Sequence, residues 1–211
     1  MKKKNIEIIP TILVKDFKEV KERIKKVEDY VSWVQLDIMD GVFVNNETWR
    51  NPEDLKNFKT KAKLEAHLMV QKPEEVIDDW LEVVDRVIVH YEACNNLDEL
   101  IRKVHDKGKQ IGLAINPKTS IDVAKSFLSN LDLVLLMTVN PGQGGQEFKY
   151  EVLEKIRALR KLWLDGNIEV DGGINPETAK KAIKVGANLI CAGTYIFKSK
   201  EIKQAIEGLR G

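Results

Sequence analysis

Ile168-Glu169-Val170-Asp171-Gly172-Gly173-Ile174-Asn175-Pro176 reads as a strand, a glycine turn and the start of a helix in one short run. Ile168 and Val170 point one way and Glu169 and Asp171 the other, because side chains of a strand alternate faces. Two glycines then let the chain turn tightly, and a proline suits the first turn of a helix. The strand runs over Asn167–Val170 and the helical pattern over Pro176–Val185.

The same unit recurs along the chain. Further candidate strands are Glu7–Ile9, Trp33–Asp37, Leu64–Leu68, Arg86–His90, Gln110–Ile115, Leu133–Met137 and Leu189–Ala192. Helical patterns lie near Phe17–Glu28, Pro52–Phe58, Pro73–Val83, Leu97–Lys107, Ile121–Leu128, Tyr150–Leu164 and Lys200–Leu209. In one of them Leu153, Ile156, Leu159 and Leu162 recur at helical spacing. Strand-then-helix alternation implies a parallel sheet. Eight units with no linker predict a single α/β domain over residues 1–211, closed as a (β/α)8 TIM barrel. A doubly wound open sheet is the alternative architecture. The chain has 211 residues, whereas such barrels usually take about 250 and can be built from roughly 200.

Composition narrows the function. Hydrophobic residues make up 43% and charged residues 32%, as in ordinary globular proteins. A net charge of +1 gives no broad basic surface for nucleic acid. No apolar run approaches the ~18 residues needed to span a bilayer. Met1-Lys2-Lys3-Lys4 reads as a solvated basic tail, since Glu7, Pro10 and Thr11 break the apolar core a signal peptide needs. Cys94 and Cys191 form no CxxC pair; they read as buried, reduced residues of a cytoplasmic protein.

Alternation sorts the polar groups. In Gln35-Leu36-Asp37-Ile38-Met39, residues Gln35, Asp37 and Met39 share a face. In Leu64-Glu65-Ala66-His67-Leu68-Met69, so do Glu65, His67 and Met69. A barrel would turn these sets inward and pack the apolar sets on its helices. Charges there are costly unless paired or bound to a metal. Asp37, His67 and Asp171 lie nearest the C-terminal strand ends, where barrel active sites sit. Glu65 and Glu169 lie deeper and read as a hydrogen-bonded structural network.

Three glycine segments follow the last three strands: Asn140-Pro141-Gly142-Gln143-Gly144-Gly145-Gln146, Asp171-Gly172-Gly173-Ile174-Asn175-Pro176 and Ala192-Gly193-Thr194. Glycine lets backbone N–H groups approach an anion. Barrels commonly bind phosphate with the loops after strands 7 and 8. A small phosphorylated substrate is the expectation.

These residues, in order, resemble the ribulose-phosphate 3-epimerase family. The likeness runs from Ile9-Pro10-Thr11-Ile12-Leu13 to Ala192-Gly193-Thr194-Tyr195-Ile196-Phe197. Between them lie Leu36-Asp37-Ile38-Met39-Asp40-Gly41-Val42-Phe43-Val44, His67-Leu68-Met69-Val70, His90-Tyr91-Glu92-Ala93, Gly112-Leu113-Ala114-Ile115-Asn116-Pro117 and Met137-Thr138-Val139-Asn140-Pro141. The resemblance implies an isomerase that inverts carbon 3 of a ketose phosphate through an enediolate. It implies Asp37 and Asp171 as the acid–base pair, since inversion needs such groups on both faces of a planar intermediate. It also implies a divalent cation (Zn, Fe, Mn or Co) held by Asp37, His67 and Asp171. Substrate contacts implied by the match are Thr11, His67, Met39, Met69, Met137, Gly142, Gln143, Gly144, Gly145, Gly172, Gly173, Gly193 and Thr194. Family members are often dimers or larger, so a homo-oligomer is expected.

Some positions depart from the family pattern. Gln35 stands where the fourth metal ligand, a His, is usual; an amide oxygen is a neutral donor, so weaker binding or a harder cation is expected. Thr11 replaces a Ser and keeps the hydroxyl. Gln143 replaces an aromatic residue. The loop Val44-Asn45-Asn46-Glu47-Thr48-Trp49-Arg50 lacks the usual Pro and Ile-Gly, so Trp49 and Arg50 either alter substrate fit or face solvent. His90 matches a family His outside the metal set and reads as structural; His105 reads as a surface residue. The first functional reading is interconversion of D-ribulose 5-phosphate and D-xylulose 5-phosphate in the pentose phosphate pathway. Alternatives are an allulose-6-phosphate or other ketose-phosphate 3-epimerase, a phosphate-barrel lyase or aldolase, and a non-catalytic sugar-phosphate-binding barrel. No lysine at a matching strand end supports a Schiff-base aldolase.

Overall fold

The computed structural model describes residues 4–210. Eight strands form a closed, all-parallel barrel in chain order. They are β1 (Glu7–Ile12), β2 (Trp33–Met39), β3 (Lys63–Met69), β4 (Arg86–His90), β5 (Gln110–Ile115), β6 (Leu133–Met137), β7 (Ile168–Asp171) and β8 (Leu189–Ala192). β8 pairs with β1, so no sheet edge is left open. Closure excludes the doubly wound alternative.

Helices α1 (Phe17–Val27), α2 (Ile77–Leu81), α3 (Leu97–Asp106), α4 (Val152–Leu162), α5 (Pro176–Val185), α6 (Thr194–Phe197) and α7 (Ile202–Gly208) cover the outside. Local chemistry starts them. Asp16 accepts from the Glu19 N–H at the head of α1, and Asn96 from the Glu99 N–H at the head of α3. Asn175 and Thr178 form a reciprocal capping box behind Pro176, so α5 begins where Pro176 places it.

Apolar strand residues behave as alternation requires. Val34, Leu36 and Ile38 join the layer packed between strands and helices. Ile9, Ile88, Leu133, Leu135 and Leu189 form a second cluster within the barrel.

Three outer segments differ from the helical reading. Pro52–Phe58 makes one 3-10 turn, Pro52–Leu55. Ile121–Leu128 makes a short turn, Ile121–Ala124, and begins another at Leu128. Pro73–Val83 splits at Val76 into a 3-10 turn and α2. In Ile121–Ala124 only Ala124 is buried, while Ile121, Val123, Phe127 and Leu128 pack on the core partly exposed. In α4 the buried stripe is Val152, Ile156 and Leu159, while Leu162 is half exposed.

The basic tail reading applies only in part. Met1–Lys3 lie outside the described residues, and the Lys4 ammonium donates to Asp165 O, Gly166 O and Asn167 Oδ1 rather than to solvent alone. Cys94 and Cys191 are free thiols, half-buried and buried. Among the described residues no helix is long and apolar enough to cross a membrane.

Candidate active site at the C-terminal strand ends

Register brings the polar groups together. Asp37 on β2 pairs with His67 on β3, and Met39 with Met69. Across the barrel Met137 on β6 pairs with Asp171 on β7, and Asp171 with Cys191 on β8. Two threonines tie down the strand ends. Thr48 Oγ1 donates to Asp37 O and accepts from the Met39 N–H, at 2.7 and 2.9 Å. Thr138 Oγ1 contacts Asp171 O and Gly172 O, at 2.8 and 2.5 Å.

Gln35 lies between the two aspartates. Its Nε2 donates to Asp37 Oδ1 and to Asp171 Oδ2, each at 2.8 Å. Carboxylates only accept, so the amide must present its NH2 to them. Its Oε1 faces the Cys191 thiol at 3.5 Å. His67 Nδ1 completes the group, 3.4 Å from Asp37 Oδ1 and 3.8 Å from Asp171 Oδ2. Burial, then the neighbouring Asp37 charge, pushes the Asp171 carboxyl up to about 7.

One ligand atom from each of Asp37, His67 and Asp171 lies within 4.8 Å of the others. Two carboxylates and an imidazole are a donor set that fits a divalent cation and compensates its charge. Gln35 now offers the group its NH2, which cannot ligate. To serve as a fourth donor its amide must turn over, placing Oε1 inward and the NH2 toward Cys191 Sγ.

Above this floor opens a cavity of about 600 Å³. Thr11, Asp37, Met39, Met69, Met137, Gly142, Gln143, Gly144, Gly145, Asp171, Gly172, Gly173, Gly193 and Thr194 all line it. Gln35 and His67 are fully buried beneath it and do not form its walls. Two glycines are sterically required. Gly173 has φ +64°, and a Cβ there would lie 2.5 Å from Phe148 N. A Cβ at Gly193 would lie 2.6 Å from Thr11 Oγ1. The glycine loop after β6 is braced by Gln146, whose Nε2 donates to Asn140 O and Gln143 O.

Other sequence expectations are redirected. Trp49 neither lines the cavity nor faces solvent. It is buried, stacks on Phe17 at 5.1 Å, and donates from Nε1 to Asp54 Oδ2. Arg50 pairs with Glu47 at 3.0 Å on the surface. His105 is a surface residue beside Asp132. His90 is fully buried and touches His67, Nε2 to Nε2, at 2.9 Å. Burial lowers the His90 pKa to about 4. Burial opposes ionisation of Glu92, yet contacts from His90, Thr119 and the Asn116 N–H hold its carboxyl at about 2.

Beneath the site, Arg86 pairs with Glu65 through Nε at 2.7 Å and through Nη2, and its guanidinium lies over the Trp33 ring. Burial raises the Glu65 and Glu169 carboxyls, Glu169 most. Cys191 Sγ donates to Glu169 Oε1 at 3.1 Å. The deeper acids are thus a network, as expected, although Glu65 Oε1 and Glu169 Oε2 have no hydrogen-bond partner.

Sequence reading missed Arg23 on α1 and Lys198 after α6, which bring positive charge to the cavity wall. Both belong to segments where a cation reads as surface. It also passed over Asp40, whose carboxylate accepts from the Val42, Phe43 and Gln71 N–H groups and so joins two rim loops.

A closed parallel barrel with paired carboxyl groups at its C-terminal end, opening into a glycine-walled cavity, defines a class: parallel barrels whose site at the strand ends suits acid–base chemistry on a small ligand. Residues 7–197 match the profile of the Ribulose-phosphate 3 epimerase family, and the chain belongs to that family. It is 39% identical to ribulose-phosphate 3-epimerase of Schizosaccharomyces pombe, over 97% of this chain and 92% of the relative. The namesake of Bacillus subtilis is also 39% identical, over 98% and 99%. Among solved structures, 3-hexulose-6-phosphate synthase from Salmonella typhimurium shares the fold, with TM-score 0.73, 16% identity and 97% of each chain covered.

Proposed function

We propose that this chain interconverts D-ribulose 5-phosphate and D-xylulose 5-phosphate, with Asp37 and Asp171 exchanging the carbon-3 proton. The observation that carries the reading is the pair itself: two carboxyl groups from β2 and β7, bridged by one amide and both exposed to the same cavity. Inversion requires one group to remove a proton and a second to deliver one from the opposite face. In metal-free protein burial and the Asp37 charge push the Asp171 carboxyl up to about 7, a rise that a bound cation would oppose. Asp37 is anchored through its own carbonyl by Thr48, so it meets the substrate in a fixed position.

Met39, Met69 and Met137 line the cavity beside the pair. Their soft apolar walls keep water from the reacting carbon. The loops bearing Gly142–Gly145, Gly172, Gly173 and Gly193 suit the substrate phosphate, with Thr11 and Thr194 as hydroxyl contacts. Asp37, His67 and Asp171 would hold a divalent cation of the Zn, Fe, Mn or Co group, with Gln35 Oε1 as a fourth donor after its amide turns. When bound, that cation supplies positive charge against the oxygens on which negative charge develops.

The test is a comparison of substrates. Purified protein is given D-ribulose 5-phosphate or D-allulose 6-phosphate, with Mn²⁺, and products are followed by NMR. We expect kcat/KM at least about tenfold higher for the pentulose, a difference of about 1.4 kcal/mol. A preference for the hexulose, or no turnover of either, would overturn the assignment.

A further inference from the structure

Charge divides the cavity into two ends. Among its lining residues the carboxyl groups are Asp37 and Asp171, both at the strand ends. The cations among them are Arg23 and Lys198, from α1 and from the residue after α6. The helical turn of α6 ties those cations to a glycine loop. The Phe197 N–H donates to Gly193 O at 3.0 Å, and the Lys198 N–H to Thr194 O at 3.1 Å. Phe197 and Lys198 therefore stand about one helical pitch, roughly 5.4 Å, along the axis from Gly193 and Thr194.

Arg23 reaches the same place from α1. Its guanidinium carbon lies 5.0 Å from the centre of the Phe197 ring. Glu19, one turn earlier, accepts from Nε at 3.1 Å and from Nη2 at 2.5 Å through a single oxygen. Nη1 makes no hydrogen bond among the described residues, so one edge of the guanidinium stays free for a ligand. Glu19 is not among the residues lining the cavity, whereas Arg23 is. The pair thus turns its positive end inward, and the ring and the carboxylate fix the angle of the fork.

We propose that Arg23 and Lys198 bind the phosphate of the substrate as a dianion and so set which end of the molecule meets the carboxyl pair. Backbone N–H groups of the glycine loops give a phosphate hydrogen bonds but no net charge. A phosphate monoester loses its second proton near a pKa of about 6, so two negative charges need an answer at neutral pH. A guanidinium edge matches two phosphate oxygens, and an ammonium adds a point charge. The opposite end of the cavity, with its two carboxyl groups, repels the same anion. The inference rests on the proposed ketose-phosphate substrate, yet inorganic phosphate tests it without turnover.

Inorganic phosphate is titrated into metal-free, ¹⁵N-labelled protein, and the amide shifts of Gly173, Gly193 and Thr194 are followed. Wild-type protein should bind with those amides shifting together. Arg23→Gln should weaken binding about tenfold, since a hydrogen bond to a charged group is lost. Arg23→Lys keeps the charge without the fork and should fall between the two. Lys198→Gln, which leaves the Arg23–Phe197 contact alone, should also weaken binding. With D-ribulose 5-phosphate, KM should rise by the same factors while kcat holds, the mark of lost binding rather than lost chemistry. Raised ionic strength should weaken phosphate binding more in wild type than in the doubly substituted protein. Unchanged affinity in both Arg23→Gln and Lys198→Gln overturns the proposal, and so does wild-type protein that binds no phosphate or binds it without shifting those amides. Phosphate binding without epimerase turnover would sink only the substrate assignment. Turnover with KM unchanged in both variants would sink only the cationic clamp.

Discussion

Gln35 puts an N–H toward each of two carboxyl groups. A histidine on the same strand position has no single atom that can donate twice. The amide therefore does in metal-free protein part of what a cation would do: it holds the pair together. Gln35→His should trade one property for the other. We expect Zn²⁺ to bind at least about tenfold tighter in calorimetry, because imidazole is the better donor for that cation. We expect the metal-free variant to lose about 2 kcal/mol in urea titration, since hydrogen bonds to charged groups are each worth about that much. Unchanged affinity and unchanged stability would contradict this account of Gln35. That Gln35 shares a face with Asp37 is legible in β2 alone, because alternation fixes it. The direction of its amide is not, because its partner Asp171 comes from β7 on the far side of the barrel.

Elements were read best where a local rule sets them. Asn175 and Pro176 mark the start of α5, and the apolar alternation of β2 and β3 places every inward side chain. The segments near Pro52 and Ile121 suggest helices, but they form only short 3-10 turns, with Leu55 and Ala124 as the buried residues of those turns. The burial of Trp49 is not legible in its own loop, because its partners, Phe17 and Trp80, lie on two other elements. The turn between β7 and α5 makes the firmest prediction at this scale. Gly173→Ala demands a left-handed conformation and a Cβ against the Phe148 backbone. Strain of that kind costs about 1–3 kcal/mol. Urea unfolding should show that loss, and KM for ribulose 5-phosphate should rise as the loop shifts. A variant of wild-type stability and KM would mean the turn has room that its geometry denies.

At the scale of the molecule, the barrel closes over charges in two layers. The lower layer is anchored by Arg86, nearly fully buried between Glu65 and Trp33. Arg86→Ala would strand the Glu65 carboxylate, and breaking such a pair costs about 3–5 kcal/mol. The check is chemical denaturation, and a loss under about 1 kcal/mol would show that Glu65 takes up a proton instead. The upper layer is what closure makes possible: only a sheet joined at β8 and β1 brings Asp37 and Asp171 to opposite sides of one small space. That pairing is the central claim, and isotope exchange reads it directly. Ribulose 5-phosphate in heavy water, with wild-type protein, should gain deuterium at carbon 3. Asp37→Asn and Asp171→Asn should each lose nearly all of that exchange while keeping the fold by circular dichroism. Full exchange in either variant would contradict the two-carboxyl account.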